Sequence, residues 1–490
     1  MAIATQALID AGAVVPMLIG GEWSPSFTSG LRDVTNPVND RVIAQIAYGG
    51  ADEADAAADS AADAFRSWSN TSTRYRSDIL RRTYELLLER AEAIGYILSL
   101  ESGKLLPEAI GEIRFSAEYF RWFSEEIRRP QGEVFASEDQ SRRQISISRP
   151  IGVAATLTPW NFPVSIQARK VAPALAAGCT VVARPSEKAP LAVAEVFRAL
   201  VDAGIPKGVV NLIYGPASPQ SNALIDHESV EVISFTGSTA VGSALMKRAS
   251  ARIVKCALEL GGDAPFIIFS DADIDRAIQG LQIAKFRNNG QSCIAANRVF
   301  VASSIMDQVC DRLGKLTEAM SVGDPLGGEP VDLGPLIDQS RLREVDKIVR
   351  EATSAGAYFL GGEPKMCDGP NYYRPGFLVN VAEECQLARE EVFGPVAGVF
   401  SFDDEEEVIE RSNRTSMGLA GYAYTSDQGR IWRLSERIEV GILGINHPLP
   451  SVVYSPMGGL KRSGLGREGA HDGLAEYQET KYVSIGVEGL

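Results

Sequence analysis

From Gly152 to Ala249 the chain alternates short apolar runs with segments of helical period, and this alternation restricts the fold more than any other feature. Val153–Leu157, Cys179–Arg184, Val209–Ile213 and Val232–Phe235 read as strands, and Val164–Leu175, Leu191–Ala203 and Val241–Ala249 as helices. Strand followed by helix, repeated, predicts a doubly wound parallel sheet covered on both faces. In such a sheet, ligands sit beyond the carboxyl ends of the strands. After Gly262 a second α/β unit begins with the strand Phe266–Phe269, followed by helices at Ile274–Phe286, Asp307–Met320 and Leu342–Ala355.

The earlier segments read differently. A strand and turn at Met17–Trp23 and a strand at Val42–Ile46 precede three helices: Ala51–Trp68 with Asp52 as N-cap, one continuous helix Arg74–Leu100, and Leu105–Glu126. No chemistry is assigned to these helices. Gln144–Pro150 alternates apolar and polar residues and so reads as a strand with one exposed face.

A chain of 490 residues implies two or three domains. Its net charge of −15 disfavours nucleic acid and anionic membranes as partners. An anionic substrate would need a local cationic site. The six cysteines form no CxxC pair and the three histidines are scattered, so neither a disulfide framework nor a metal is expected. The apolar start, Met1–Gly20, has no Lys or Arg, which argues against a secretory signal, and no eighteen-residue apolar run occurs. A cytoplasmic location is the expectation.

The stretch Phe286–Arg298, FRNNGQSCIAANR, places Cys293 among small and amide residues between a helical and a strand-like run. A lone cysteine is more often a small buried hydrophobe than a nucleophile. Here Gly290 would let the backbone approach a ligand closely, and main-chain N–H groups nearby could hold an oxyanion. Three other stretches lie upstream: TPWNFP at Thr158–Pro163, FTGSTAVG at Phe235–Gly242 and LELGG at Leu258–Gly262. EEVFGP follows at Glu390–Pro395.

Together, and in this order, these motifs resemble the NAD(P)-dependent aldehyde dehydrogenase superfamily, from about Gly20 to Val483. The resemblance implies an α/β, aldehyde dehydrogenase-like fold. It has a doubly wound parallel-sheet cofactor domain (residues 1–127 and 149–260), an α/β catalytic domain (261–465) and a small β oligomerisation arm (128–148 and 466–490). A homodimer or homotetramer is then expected. For catalysis it implies Cys293 as nucleophile, Asn161 as oxyanion donor, Glu259 as general base and Lys170 in support. The base favours hydrolysis to the free acid over transfer to coenzyme A. Asp263 stands where the family usually has Asn or Lys.

For the cofactor, NAD with NADP possible, the resemblance implies a pyrophosphate loop at Gly237, Ser238 and Gly242, where a helix N-terminus favours anions. Ser238 adds a hydroxyl donor. Thr158 and Leu260 would also bind the cofactor, with Trp160 and Glu187 on the adenosine side and Glu391 and Phe393 on the nicotinamide side. Glu187 would accept from the ribose hydroxyls and repel a ribose phosphate, favouring NAD. Arg184, where the family usually has Lys, could instead pair with a phosphate. Arg169, Arg287 and Ser451 match the residues that hold the carboxylate in succinate-semialdehyde dehydrogenases, so a small semialdehyde is the expected substrate. Ala295 removes the second cysteine often found there, and the loop Asn446–Tyr454, with His447 and Tyr454, departs from the pattern. An aromatic, sulfonated or longer-chain aldehyde is the alternative.

Overall fold

The structure, a computed structural model, describes residue 12 and residues 14–24, 30–129, 132–138 and 141–487. Most of the apolar start used above to argue against a signal lies outside these residues.

Two large sheets organise the chain. The first has eight strands in the order Gly464–Leu465, Lys255–Glu259, Val230–Thr236, Val153–Thr158, Thr180–Pro185, Val210–Leu212, Met17–Ile19 and Glu22–Ser24. Its five central strands are parallel and its outer strands antiparallel. Val153–Thr158 and Thr180–Pro185 are buried along their whole length, as expected for strands with helices on both faces. The second sheet runs Tyr358–Leu360, Gly376–Val379, Val396–Phe402, Ala296–Ala302, Ala264–Ile268, Ala420–Tyr424 and Ile442–Ile445. It is parallel except at the Tyr358–Leu360 edge. A separate three-stranded antiparallel sheet joins Gln478–Gly486, Arg142–Pro150 and Val134–Phe135.

The first four helices depart from the sequence reading. The first spans Ala51–Ser69, and its N-cap is Gly50, whose N–H donates to the Glu53 carboxylate at 2.6 Å; Asp52 lies inside the first turn. The expected continuous helix 74–100 is two, Thr73–Glu89 and Ala91–Ser102, broken at Arg90, which pairs with Asp202 at 2.7 Å. Helical period continues across the break, so apolar spacing alone could not reveal it. The fourth, Leu106–Glu126, contributes Glu112, whose carboxylate accepts from the Val164 and Ser165 amides at 3.1 and 3.2 Å. Those amides open the buried helix Pro163–Ala177, so Glu112 satisfies donors that a helix start leaves without partners. Glu101 does the same for Leu191 and Ala192 at 2.7 and 2.9 Å, and burial pushes its carboxyl up to about 8.

No described helix is long and apolar enough to cross a membrane. Among the described residues no cluster of His, Cys, Asp and Glu could hold a metal ion, and all six cysteines are free.

Candidate active site

Segments that leave the carboxyl end of the first sheet meet, around Cys293, segments that enter the amino end of the second. The helix Ile274–Phe286 ends in a short turn, Arg287–Gly290, in which Asn288, Asn289 and Gly290 all have positive φ (53°, 58° and 75°). Asparagine and glycine are the residues that tolerate this region best. The turn is pinned on every side. Asn288 Nδ2 donates to the Asn161 and Gln291 carbonyls at 2.8 and 3.0 Å, Asn289 Oδ1 accepts from Gly334 N at 2.8 Å, and Gln291 Oε1 accepts from Ile337 N at 2.9 Å. The close approach expected of Gly290 is real, but it is to protein. A Cβ there would sit 2.2 Å from the Gly394 carbonyl oxygen, so the nucleophile turn packs on the EEVFGP segment. Likewise Gly262 is required by the Cys293 carbonyl, 2.3 Å from where its Cβ would be.

Cys293 is partly open to a cavity of about 310 Å³. Arg169, Arg287, Glu259, Ser451, Phe162 and Met457 are among the residues that line it. Glu108, Glu112 and Phe115 also line it, so the helix to which no chemistry was assigned supplies one wall. Burial, with the Glu391 and Glu259 charges adding to it, pushes the Cys293 thiol up to about 12. The resting thiol is therefore protonated at neutral pH.

Asn161 is buried, and its Nδ2 donates to the Gln291 carbonyl at 3.2 Å, which ties this amide to the cysteine loop. Glu259 ends the strand Lys255–Glu259, opposite Thr236. Its Oε2 is buried without a hydrogen-bond partner, and burial together with the nearby Glu468 charge raises it well above the carboxylate range. Lys170 is fully buried and donates to Glu468 at 2.5 Å and to Ser234 Oγ at 3.1 Å. Glu468 was missed by sequence reasoning, and the tail containing it was expected to form part of the arm.

The two arginines differ. Arg169 lies 3.6 Å from Glu468, contacts the Met457 sulfur and sits over the Tyr119 ring at 5.5 Å. Arg169 thus has a carboxylate of its own even without a substrate. Arg287 forms no ion pair among the described residues, and its guanidinium lies over the Phe162 ring at 4.8 Å. The Ser451 hydroxyl, at the cavity wall, has only the Met457 sulfur nearby, at 3.5 Å. Tyr454, in the loop that departs from the family pattern, lies against the Trp122 ring.

Asp263 gains a physical account. It is buried 2.9 Å from Arg298, whose Nη2 also donates to the Asp263 and Ser412 carbonyls, both at 3.0 Å.

Ser238 caps the helix Thr239–Ala249, its hydroxyl oxygen accepting from Val241 N at 3.4 Å, so that oxygen serves the helix as well as any ligand. Gly242 is forced by the Leu260 side chain, which lies 2.5 Å from where a Cβ would be. Thr158 donates to Gln167 at 2.7 Å, which leaves its side chain committed to the protein. Trp160 meets Phe393 edge-on at 5.5 Å, and Phe393 has φ 50°, a placement uncommon outside glycine and typical of functional sites. Glu391 receives only one long hydrogen bond, 3.4 Å from Gly262 N, and burial pushes it up to about 8. A carboxylate so poorly partnered fits a ligand bearing hydroxyl groups.

The model of the aldehyde dehydrogenase family matches residues 23–483. The chain belongs to this family. It is an NAD(P)-dependent aldehyde dehydrogenase, as the motif resemblance implied. It is 41% identical over 469 residues to a mitochondrial succinate-semialdehyde dehydrogenase of Arabidopsis thaliana, covering 96% of this chain and 89% of that protein. It is 40% identical over 470 residues to the NADP(+) succinate-semialdehyde dehydrogenase GabD of Escherichia coli, covering 96% and 97%. Among solved structures, a betaine aldehyde dehydrogenase from Staphylococcus aureus in complex with NAD+ superposes with a TM-score of 0.95 at 31% identity, covering 100% of this chain and 98% of that one.

Proposed function

We propose that this aldehyde dehydrogenase oxidises a small semialdehyde, succinate semialdehyde or a close homologue, to the dicarboxylic acid, with NAD preferred over NADP. The observation that carries this reading is Arg287. A guanidinium with no carboxylate partner among the described residues faces the same cavity as the Cys293 thiol and the Ser451 hydroxyl. The substrate's carboxylate would pair with Arg287 and Ser451, with Arg169 adding field that it shares with Glu468. The similarity to succinate-semialdehyde dehydrogenases over nearly the whole chain supports the same substrate class.

In this reading, Cys293 Sγ gives its proton to the ionised Glu259, which passes it on to solvent, and attacks the aldehyde carbon. The new oxyanion is held by Asn161 Nδ2 and the Cys293 N–H. One such donor is worth roughly 10²–10³ in rate. NAD, when bound, accepts the hydride from the tetrahedral adduct. Its fit rests on Glu391 as acceptor for the ribose hydroxyls, Gly237 and the start of helix Thr239–Ala249 for the pyrophosphate, and Glu187 for the adenosine ribose. The thioester left on Cys293 is hydrolysed by water, whose proton passes to the otherwise unpartnered Glu259 Oε2. Glu468 and Lys170, buried behind Glu259, give that proton a charged neighbourhood to leave through.

The division into a cofactor domain, a catalytic domain and an arm at the bounds given above belongs to this proposal, as does a homodimer or homotetramer. Ile253, a β-branched residue at φ 59°, is 91% exposed, and Val241 and Met246 on the preceding helix are exposed as well. A second copy that covers this patch would offset both the strain and the exposure. Residence in the cytoplasm is part of the same reading.

Cys293→Ala tests the chemistry. It should abolish NADH formation while leaving NAD binding intact; turnover at the wild-type rate would overturn the mechanism. Free acid as product, with no dependence on coenzyme A, is the accompanying expectation.

A further inference from the structure

Lys104 precedes the helix Leu106–Glu126 that forms one wall of the cavity, and its side chain is only 1% exposed. Helix Ala91–Ser102 ends at Gly103, φ 71°, and the Ser99 hydroxyl donates to the Lys104 carbonyl at 2.6 Å, so the main chain is fixed where this side chain turns inward. The ammonium meets two oxygens. One belongs to the Glu112 carboxylate, and the other is the Asn161 carbonyl, at 3.0 Å. It also lies over the Phe162 ring at 4.1 Å. A buried ammonium is costly unless it is paired, and Glu112 supplies the pair. The other Glu112 oxygen accepts from the Val164 and Ser165 amides. Cation and anion thus grip the segment from Asn161 to Ser165 on both sides of Phe162.

The Asn161 side chain does little to hold itself in place. Its Oδ1 is buried with no partner, and its Nδ2 has one bond, 3.2 Å to the Gln291 carbonyl. The place of the amide therefore follows from the place of its own backbone. Two donors fix that backbone at the Asn161 carbonyl: Lys104 Nζ, and Asn288 Nδ2 at 2.8 Å. We propose that Lys104 is a positioning residue for the reaction: its buried ammonium, matched by Glu112, fixes the Asn161 main chain so that the Asn161 amide meets the oxyanion formed when Cys293 attacks. A neutral side chain of similar length would leave the carbonyl to Asn288 alone and let the amide drift from the reacting carbon. This inference rests on the oxyanion role proposed above for Asn161 and adds to it the residue that keeps that amide in place.

The test is kcat for NADH formation with succinic semialdehyde at saturating NAD, in a double-mutant cycle on the full chain. It uses the wild type, Lys104→Met, Asn161→Ala and the two substitutions together. Lys104→Met should lower kcat by roughly ten- to a hundredfold, the effect of an oxyanion donor moved out of place, and by no more than Asn161→Ala does. In the Asn161→Ala background the same substitution should change kcat by less than about twofold, because the amide it positions is already gone. Where Lys104→Met alone does not fold, Lys104→Met with Glu112→Gln carries the same comparison, since it buries no unmatched charge. An equal fold-loss in both backgrounds would mean that Lys104 serves only the packing of the wall, and would overturn the inference. So would an unchanged kcat in Lys104→Met. An unchanged kcat in Asn161→Ala would remove the oxyanion role itself, and this inference with it.

Discussion

Replacing Arg287 by alanine separates the anchoring of the substrate's acid from everything else the cavity does. Arg287 makes no ion pair among the described residues, although its charge, after that of Lys104, offsets the burial of the Glu108 carboxyl on the same cavity wall, an effect both aldehydes share. What is lost with a neutral aldehyde is the contact with the Phe162 ring, about 0.5–1 kcal/mol. With an acid-terminated aldehyde the charge-assisted hydrogen bond is lost as well, about 1.5–3 kcal/mol, or roughly 10- to 150-fold in kcat/KM. Steady-state NADH formation with succinic semialdehyde and with butyraldehyde measures both on one enzyme. The acid substrate should lose at least tenfold more than the neutral one, mainly through KM. Arg169→Ala should behave differently. That side chain is matched by Glu468 behind the general base, so its removal should slow both aldehydes by similar factors. Equal losses for both substrates in Arg287→Ala would refute the anchoring role.

Other outcomes follow from the same geometry. Because burial holds Cys293 near 12, alkylation of the cofactor-free enzyme by iodoacetamide should quicken by about tenfold per pH unit from pH 7 to 10; a plateau below pH 9 would contradict that placement. Glu391 is raised to about 8, so the fold favours its protonated form, and the stability this confers is full below about pH 4.5 and lost as pH climbs towards 8. Glu391→Gln should therefore melt above the wild type by a margin that widens from pH 5 to 8, and a constant margin would refute it. Asp263→Ala removes one partner of a buried pair and should destabilise by about 3 kcal/mol, at the low end of the range because Arg298 keeps its carbonyl acceptors; urea unfolding measures this, and a loss under 1 kcal/mol would mean the pair is dispensable. Gly262→Ala should preserve the fold by circular dichroism but depress kcat, because the new Cβ would displace the Cys293 carbonyl; an unchanged kcat would show that the loop yields freely.

The parallel sheet was legible because its strands are buried on both faces and so read as uninterrupted apolar runs flanked by helices. Cys293 and Glu259 were legible through motifs, and the structure brings both to one cavity. Glu468 could not be read. It lies 298 residues from Lys170, and nothing local marks an acid in the sequence GREGAHDG as buried. No chemistry was assigned to helix Leu106–Glu126, because nothing in its own spacing shows that Glu112 is spent on amides of another helix. The role of Gly290 was read as room for a ligand because sequence shows that a glycine is needed but not what approaches it. Asp263 looked anomalous until the strand register placed Arg298 beside it.

The central claim is that an anionic end of the substrate is recognised in the same cavity that holds the nucleophile. The most direct test compares kcat/KM of the wild-type enzyme for succinic semialdehyde and for butyraldehyde with saturating NAD. The account predicts an advantage of about a hundredfold for the acid, equivalent to roughly 2.7 kcal/mol of preferential stabilisation. Equal values, or a preference for the neutral aldehyde, would contradict it and leave Arg287 without a substrate to hold.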